Sequence, residues 1–235
     1  MRISCYFSSM AVTILLDSDP LLSSVVCFVR QYMSQNDASH NFEHIQRVVN
    51  LSQYIYSHST EHLRQHLDIR LITLSALLHD VGDRKYLKSG EDPFTMVYTL
   101  LRTLGAPEDL AARVQAICLG VSYSSEVADP DRTRRLIGLH PELAVVQDAD
   151  RLDSIGAIGV GRCFTFSGAR HSQHTDGASM EEAMGQVETR LLRVGEMMKT
   201  DVGRGLAKER SRRLRTFRDW WREEEGMVGG NGICF

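Results

Sequence analysis

The sequence predicts an all-α protein built as a single domain. Apolar residues recur at intervals of three and four along most of the chain, and the alternation typical of strands is nearly absent. Only five prolines occur among the 235 residues, and no linker rich in Gly, Ser or Pro divides the chain. A chain of this length can bury a sizeable hydrophobic core without disulfides or structural metals. We therefore expect one helical domain at residues 21–226, with a loosely ordered segment at 1–20 and a tail at 227–235.

Apolar periodicity predicts four helices in the first half of the chain. From Phe42, apolar side chains recur at helical spacing, and Asn41 can cap the start. Residues 69–80 are apolar on nearly all sides, which predicts a helix in the centre of the protein. Further helices are expected at 93–104 and from 107 to about 119, separated by a glycine that ends the first of them.

The second half is predicted to contain three long helices and two loops. The segment "VSYSSEVADPDRTRR" is polar and is expected to be a loop, and a helix begins at Pro141 and runs to about Phe164. A second loop, "SGARHSQHTDGAS", follows. The remaining helices are expected at about 180–200 and, strongly charged, at 205–225.

Composition excludes several classes of protein. With a net charge of −3 and a pI near 6.3, the protein lacks the overall positive potential that attracts nucleic acid. The N-terminal residues form no apolar core long enough for a signal peptide or a membrane helix. The cysteines are odd in number and scattered, which favours reduced thiols and a cytoplasmic protein. They are Cys5, Cys27, Cys118, Cys163 and Cys234.

Two stretches carry histidine into apolar helices. His44 shares a helix face with Val48 and Ile55, so its ring is expected to point inward, either as a core histidine bonded to a carbonyl or as a ligand. In "LSALLHDVGDRK", His79 and Asp80 end the buried helix, and Gly82 permits a break there. The pair can deliver a nitrogen and an oxygen to one point, or it can simply cap a helix end.

A third stretch, "VVQDADRLDSIGAIGVG", embeds three acidic residues in an otherwise apolar helix. Because apolar residues surround them, at least one carboxylate must enter the interior. A lone buried carboxylate would become protonated, whereas a metal or another cation stabilises its ionised form. Helical phase leaves open whether Asp148 or Asp150 points to the site.

The segments "SHNFEHIQRV", "ALLHDVGDRK" and "VVQDADRLDSIGAIGVGRCF" together resemble the HD-domain metal-dependent phosphohydrolases, an all-α superfamily. The resemblance is strongest to small stand-alone HD proteins regarded as nucleoside triphosphate pyrophosphatases, and it extends from about Val25 to Glu225. It implies a single HD-domain helical bundle. Asn41 departs from the pattern, because family members commonly have Asp there, and its neutral side chain changes the surroundings of His44.

The resemblance implies one divalent metal ion as cofactor, held by His44, His79, Asp80 and Asp150. Two nitrogens and two carboxylate oxygens suit Mn²⁺ best, with Fe²⁺, Co²⁺, Ni²⁺ or Mg²⁺ as alternatives. Some members of the superfamily are diiron oxygenases and recruit further histidines between the His-Asp pair and the last Asp. Here His140 is the one candidate in that interval, which favours a single ion.

The resemblance also implies catalytic and substrate-binding groups. Asp83 occupies the position of an acidic general acid/base, although it could instead pair with Arg84. Lys85 and Arg151 are expected to neutralise substrate phosphate. Asp153 is expected either to contact a sugar hydroxyl or to hold a cation in place. Arg47 is expected to support an acidic residue.

The expected function is hydrolysis of a phosphoanhydride or phosphoester in a small phosphorylated molecule, most simply a nucleotide. Two alternatives stay open: an HD-type diiron oxygenase, and a metal-stabilised nucleotide-binding protein without turnover. The sequence does not indicate the oligomeric state, and a homo-oligomer is compatible with it.

Overall fold

The computed structural model describes residues 19–83, 86–87, 89–171 and 180–229. Within these ranges every regular element is helical, which confirms the all-α prediction. None of the described helices combines the length and the apolar character that crossing a membrane requires. The predicted N-terminal segment lies outside the described residues as far as residue 18, and the predicted tail does so from residue 230.

The helices of the first half begin at recognisable caps. Asp19 accepts the backbone N–H groups of Leu21 and Leu22, and Asn41 accepts those of Glu43 and His44 as predicted. These helices are α1 (Pro20–Met33), α2 (Phe42–His58), α3 (Glu61–Arg64), α4 (Ile69–Leu78), α5 (Met96–Thr103) and α6 (Glu108–Val121).

The second half of the described chain contains seven α-helices, of which the last is the longest. They are α7 (Tyr123–Ala128), α8 (Pro130–Leu139), α9 (Glu142–Asp153), α10 (Gly156–His171), α11 (Met180–Gln186), α12 (Leu192–Val194) and α13 (Asp201–Gly229). A π-helical segment, Val187–Leu191, joins α11 to α12, and a 3-10 turn, Gly195–Met197, follows.

The prediction of a polar loop after α6 was wrong, because α7 and α8 occupy that segment. The Ser122 hydroxyl accepts the backbone N–H of Ser125, and the Asp129 carboxylate accepts that of Arg132. Pro130 stands at the first position of α8, where a missing N–H costs nothing. Polar residues that suggest a loop are here the caps of two short helices.

The helix predicted at 141–164 is two helices with a break between α9 and α10. Gly156 has a φ of +73°, and a β-carbon at this position would lie only 3.2 Å from the Arg210 side chain of α13. The backbone conformation and the close approach of α13 both favour glycine at this break. α10 continues into the second predicted loop, of which residues 172–179 lie outside the description.

The core is formed where α9 packs against α2, α4 and α6, with α13 on another side of α9. α4 is buried along its length from Leu71 to Leu78, as its apolar character predicts. α9 is also buried almost throughout, including Glu142, Asp148 and Asp153, whereas the Asp150 side chain is 26% exposed. The three stretches that carry histidine and aspartate therefore meet in the interior.

Candidate metal centre and its cavity

His44 lies on the inward face of α2 and is 0% exposed. Its Nδ1 is 2.8 Å from a carboxylate oxygen of Asp153, which can only accept a hydrogen bond. Nδ1 therefore carries the proton and donates to Asp153. The lone pair of the neutral ring is left on Nε2, the atom that turns toward α4 and α9.

His79 follows the last residue of α4 and is held in the same way. Its Nδ1 lies 2.9 Å from the carbonyl oxygen of Ala76, an acceptor, so Nδ1–H donates and Nε2 keeps the lone pair. Gly82 has a φ of +84°, and a β-carbon at this position would lie 3.3 Å from the α-carbon of Pro93. This turn ends the helix and leaves Asp80 beside the imidazole, as the sequence predicts.

Four side chains converge at one point. The Nε2 atoms of His44 and His79 are 3.2 Å apart, and the carboxylate oxygens of Asp80 lie 3.3 Å and 3.4 Å from them. An Asp150 oxygen lies 3.6 Å from one Nε2 and 3.7 Å from the other. Neighbouring ligands on an ion with bonds of about 2.1 Å are themselves about 3.0–3.4 Å apart. The spacing is therefore that of a coordination shell.

Charge and hydrogen bonding also fit a cation at this point. Two nitrogen lone pairs that face each other repel unless a proton or a metal lies between them, and the buried Oδ2 of Asp80 has no hydrogen-bond partner among the described residues. Burial lowers the pKa of His79, but the carboxylates of Asp80 and Asp150 outweigh it and raise that pKa to about 9. The residues present thus suit a divalent ion.

In the described part of the chain, the one group of three or more possible ligand atoms that all lie within 4.8 Å of one another comprises His44, His79 and Asp150. Asp80 lies outside that group, but each of its oxygens is within 3.4 Å of an imidazole Nε2. Asp148 has a different position. Its carboxylate accepts hydrogen bonds from the backbone N–H groups of Lys199 and Thr200, at 2.8 and 2.7 Å, just before α13. The geometry thus brings Asp150, and not Asp148, to the imidazoles.

Asp153 is 1% exposed and is surrounded by donors. Besides His44, it accepts from Arg47 Nε at 2.7 Å and pairs with Arg162 Nη1 at 3.2 Å. Burial raises the pKa of this carboxyl, but these donors outweigh it and hold the pKa at about 2. Of the two roles expected for Asp153, the ion pairs with Arg47 and Arg162 favour holding a cation in place over contacting a sugar hydroxyl. The arrangement also places Arg47 beside an acidic residue, as expected.

The structure places the other predicted groups less favourably for direct contact with phosphate. Arg151 is 2% exposed, and its Nη2 lies 2.5 Å from Oε2 of Glu126, which also pairs with Lys199. The Arg151 charge is therefore largely neutralised within the protein. Asp83 is half-buried at the edge of the adjoining cavity. Lys85, like Arg84, lies outside the described residues.

A cavity of about 600 Å³ opens beside the four converging side chains, within the usual size range of small-molecule sites. His79, Asp80, Asp83 and Asp150 line one part of it. A second wall is lined from α7 and its cap, α8, α11 and the π-helical segment, by residues that include Ser122, Tyr123, Arg132 and Arg190. Arg162 and Phe166 of α10 line the cavity on the ligand side, because Arg162 pairs with Asp153 and the Phe166 ring lies 5.3 Å from that of His40.

The sequence reasoning missed a second buried network beside the cavity. His40 Nδ1 lies 2.6 Å from the Ser39 hydroxyl and 3.1 Å from that of Tyr86, and both hydroxyls donate to the Asp37 carboxylate. The His40 ring lines the cavity and lies edge-on to His44, with ring centroids 6.0 Å apart. The polar run before Asn41 was the available signal. Arg162 was also missed, because nothing local marks it as the partner of Asp153.

Comparisons with known proteins identify the family and the fold. A family model described as HD domain matches residues 41–155, a range that includes all four converging side chains. YpgQ of Bacillus subtilis is 33% identical over 187 residues, which make up 78% of this chain and 83% of YpgQ. A crystal structure of YpgQ in complex with ADP has a TM-score of 0.65 and 29% identity, covering 87% of this chain and 94% of that one. A Lactobacillus plantarum protein has a TM-score of 0.71 at 23% identity, covering 89% and 99% of the two chains, which is a likeness of fold alone.

Proposed function

The chain belongs to the HD-domain family, and on that premise we propose that it is a metal-dependent phosphohydrolase that cleaves a phosphoanhydride or phosphoester of a nucleotide. The observation that carries the proposal is the convergence of two imidazole Nε2 atoms and two carboxylates beside a cavity of about 600 Å³. A site that only stabilised the fold would not need to open onto such a cavity.

We assign one divalent ion to His44, His79, Asp80 and Asp150, with Mn²⁺ as the first choice and Fe²⁺, Co²⁺, Ni²⁺ or Mg²⁺ as alternatives. Such an ion supplies two functions when bound: it lowers the pKa of a water molecule and polarises a phosphoryl oxygen. His140 does not line the cavity in the described part of the chain, which supports one ion over two and a hydrolase over a diiron oxygenase.

The protein's own groups then have distinct tasks. Asp83, beside the turn at Gly82, is positioned to hold or accept a proton at its carboxylate at the cavity edge. Lys85, two residues further along, remains a proposed phosphate-binding cation. Arg151 also lines the cavity and is the second proposed phosphate-binding cation, but its ion pair with Glu126 makes it a weaker anchor for phosphate. Asp153 fixes the His44 ring so that Nε2 faces the site.

The proposed substrate is a small phosphorylated molecule, with a nucleotide as the first choice. YpgQ has been crystallised with ADP, and the likeness between the two chains extends over most of both. The cavity size suits a molecule of this kind. We further propose a cytoplasmic location, where such nucleotides are abundant and where scattered thiols stay reduced.

Metal-dependent product analysis tests the proposal. The purified protein is incubated with Mn²⁺, Co²⁺, Ni²⁺ or Mg²⁺ and with ATP, ADP, AMP or a generic phosphate ester, and the products are separated and identified. We expect release of phosphate or pyrophosphate with at least one metal, and none after chelation or with Asp150→Ala. Tight nucleotide binding without turnover under any metal would instead support a non-catalytic binding protein.

A further inference from the structure

Arg190 lies on the second wall of the cavity. It belongs to the π-helical segment Val187–Leu191, where one extra residue is accommodated per turn. Such segments are rare and often occur at functional sites, because they turn a side chain away from the direction that an α-helix would give it. Arg190 lines the same cavity as His79 and Asp150.

The Arg190 guanidinium lacks the partners that the neighbouring arginines have. Arg151 pairs with Glu126, and Arg162 pairs with Asp153. Among the described residues, no carboxylate or carbonyl accepts a hydrogen bond from Arg190, and its Nε is buried without a partner. A buried donor left unsatisfied is costly, and in a ligand cavity it indicates an acceptor that arrives with the ligand.

Tyr123 holds this cation in place without using its donors. The guanidinium carbon lies 4.7 Å from the centre of the Tyr123 ring and stacks over its face. The ring attracts the positive charge through its π-electrons, so the N–H groups at the edge of the guanidinium remain available. A planar fork of N–H donors fits two oxygens of one phosphate group.

We propose that Arg190 forms an anion subsite that binds a substrate phosphate group away from the metal centre. The site would thereby select molecules with two or more linked phosphate groups over monophosphates. This inference depends on the proposed function for the identity of the substrate. Arg190 itself lies on the second wall and is not one of the metal-binding or catalytic residues proposed above. Arg190 is thus a specificity-determining residue.

The test compares binding of methylenediphosphonate and methylphosphonate, which carry two phosphonate groups and one and do not hydrolyse. Affinities are measured by calorimetry on the Mn²⁺-loaded protein, as wild type and as Arg190→Gln. We expect the variant to lose about 10- to 100-fold in affinity for the diphosphonate, the effect of a hydrogen bond to a charged group. Affinity for the monophosphonate should change less than about 3-fold, since the metal centre holds that group.

Arg193→Gln is the matched control, because it removes the same charge from an exposed side chain a few residues away that does not line the cavity. It should bind both compounds as the wild type does. Arg190→Lys keeps the charge but loses the planar pair of N–H donors, so its affinity for the diphosphonate should be intermediate. This variant replaces Arg190→Gln in the comparison if Arg190→Gln fails to fold. Equal losses for both compounds, or no loss for either, would overturn the subsite.

The outcomes separate this inference from the proposed function. Loss of selectivity in Arg190→Gln, together with a wild type that hydrolyses no phosphate compound, would support the anion subsite and contradict the phosphohydrolase. Metal-dependent hydrolysis with unchanged selectivity in Arg190→Gln would do the reverse. A lowered melting temperature with unchanged binding would assign Arg190 to packing against Tyr123 and overturn the subsite.

Discussion

The two sides of the cavity are built differently. The ligand side consists of His44, His79, Asp80 and Asp150 on or beside the long buried helices α2, α4 and α9, where each imidazole is fixed through its Nδ1 atom. The second wall is built from α7, α8, α11 and the π-helical segment, and it carries Arg132 and Arg190. The ligand side thus belongs to the buried core, whereas the second wall comes from more exposed elements. We expect changes in the first to affect the ion and changes in the second to affect the substrate.

The largest expected effect concerns the two aspartates of α9 that helical phase does not distinguish. Asp150→Ala should abolish metal binding and activity, because its carboxylate oxygen faces both Nε2 atoms. Asp148→Ala should keep the metal but lower stability by about 1–3 kcal/mol, because backbone N–H groups of residues 199 and 200 lose a buried acceptor. Metal content and urea unfolding measure the two effects, and the reverse pattern would show that the ligand side has been misassigned.

Asp83 lines the cavity beside the turn at Gly82. If it transfers protons, Asp83→Asn should retain metal and fold while the chemical step slows by about 10²- to 10⁴-fold. Single-turnover rates, metal content and melting temperature are measured on the same preparation. Asp92→Asn, on a nearby surface loop, is the control and should keep the wild-type rate. An unchanged single-turnover rate for Asp83→Asn with full metal content would remove Asp83 from the mechanism.

Asp153 tests whether the ligand side depends on its supporting carboxylate. Asp153→Asn keeps the size of the side chain but weakens its hold on His44 Nδ1, and should reduce metal affinity by about 10- to 100-fold. Competition with a chelating dye measures this loss. Full metal affinity in the variant would show that packing alone orients His44.

The smallest effect on the ion is expected from Glu126 of α7, which forms an ion pair with Arg151 of α9. Glu126→Gln removes the charge that pairs with Arg151 and Lys199, so the melting temperature should fall. Metal affinity should stay within about 3-fold of the wild type, because Glu126 pairs with neighbours of the ligands and not with the ligands. A Glu224→Gln variant, exposed on α13, controls for loss of charge. A large loss of metal would mean that the two sides are not independent.

Sequence reasoning was most successful where chemistry is local. The capping Asn41, the buried α4 and the break at Gly82 are all visible as short patterns, and they bring His44, His79 and Asp80 to one place. The choice between Asp148 and Asp150 was not local, because it depends on residues 199 and 200 capturing Asp148 from far along the chain.

The second wall was harder to predict, because it too depends on contacts between residues far apart in the chain. The caps Ser122 and Asp129 were read as loop residues, since polarity alone does not separate a loop from a run of short helices. The π-helical segment has no simple sequence pattern, so Arg190 could not be placed in the cavity. The ion pair of Arg151 with Glu126 is likewise a contact between distant residues.

Anomalous diffraction from crystals of the Mn²⁺-loaded protein tests the central claim most directly. We predict one strong peak per chain, about 2.0–2.3 Å from Nε2 of His44, Nε2 of His79 and one oxygen each of Asp80 and Asp150. Asp150→Ala crystals grown in the same way should lack the peak. Two peaks per chain, or a single peak coordinated by Asp148, would contradict the account.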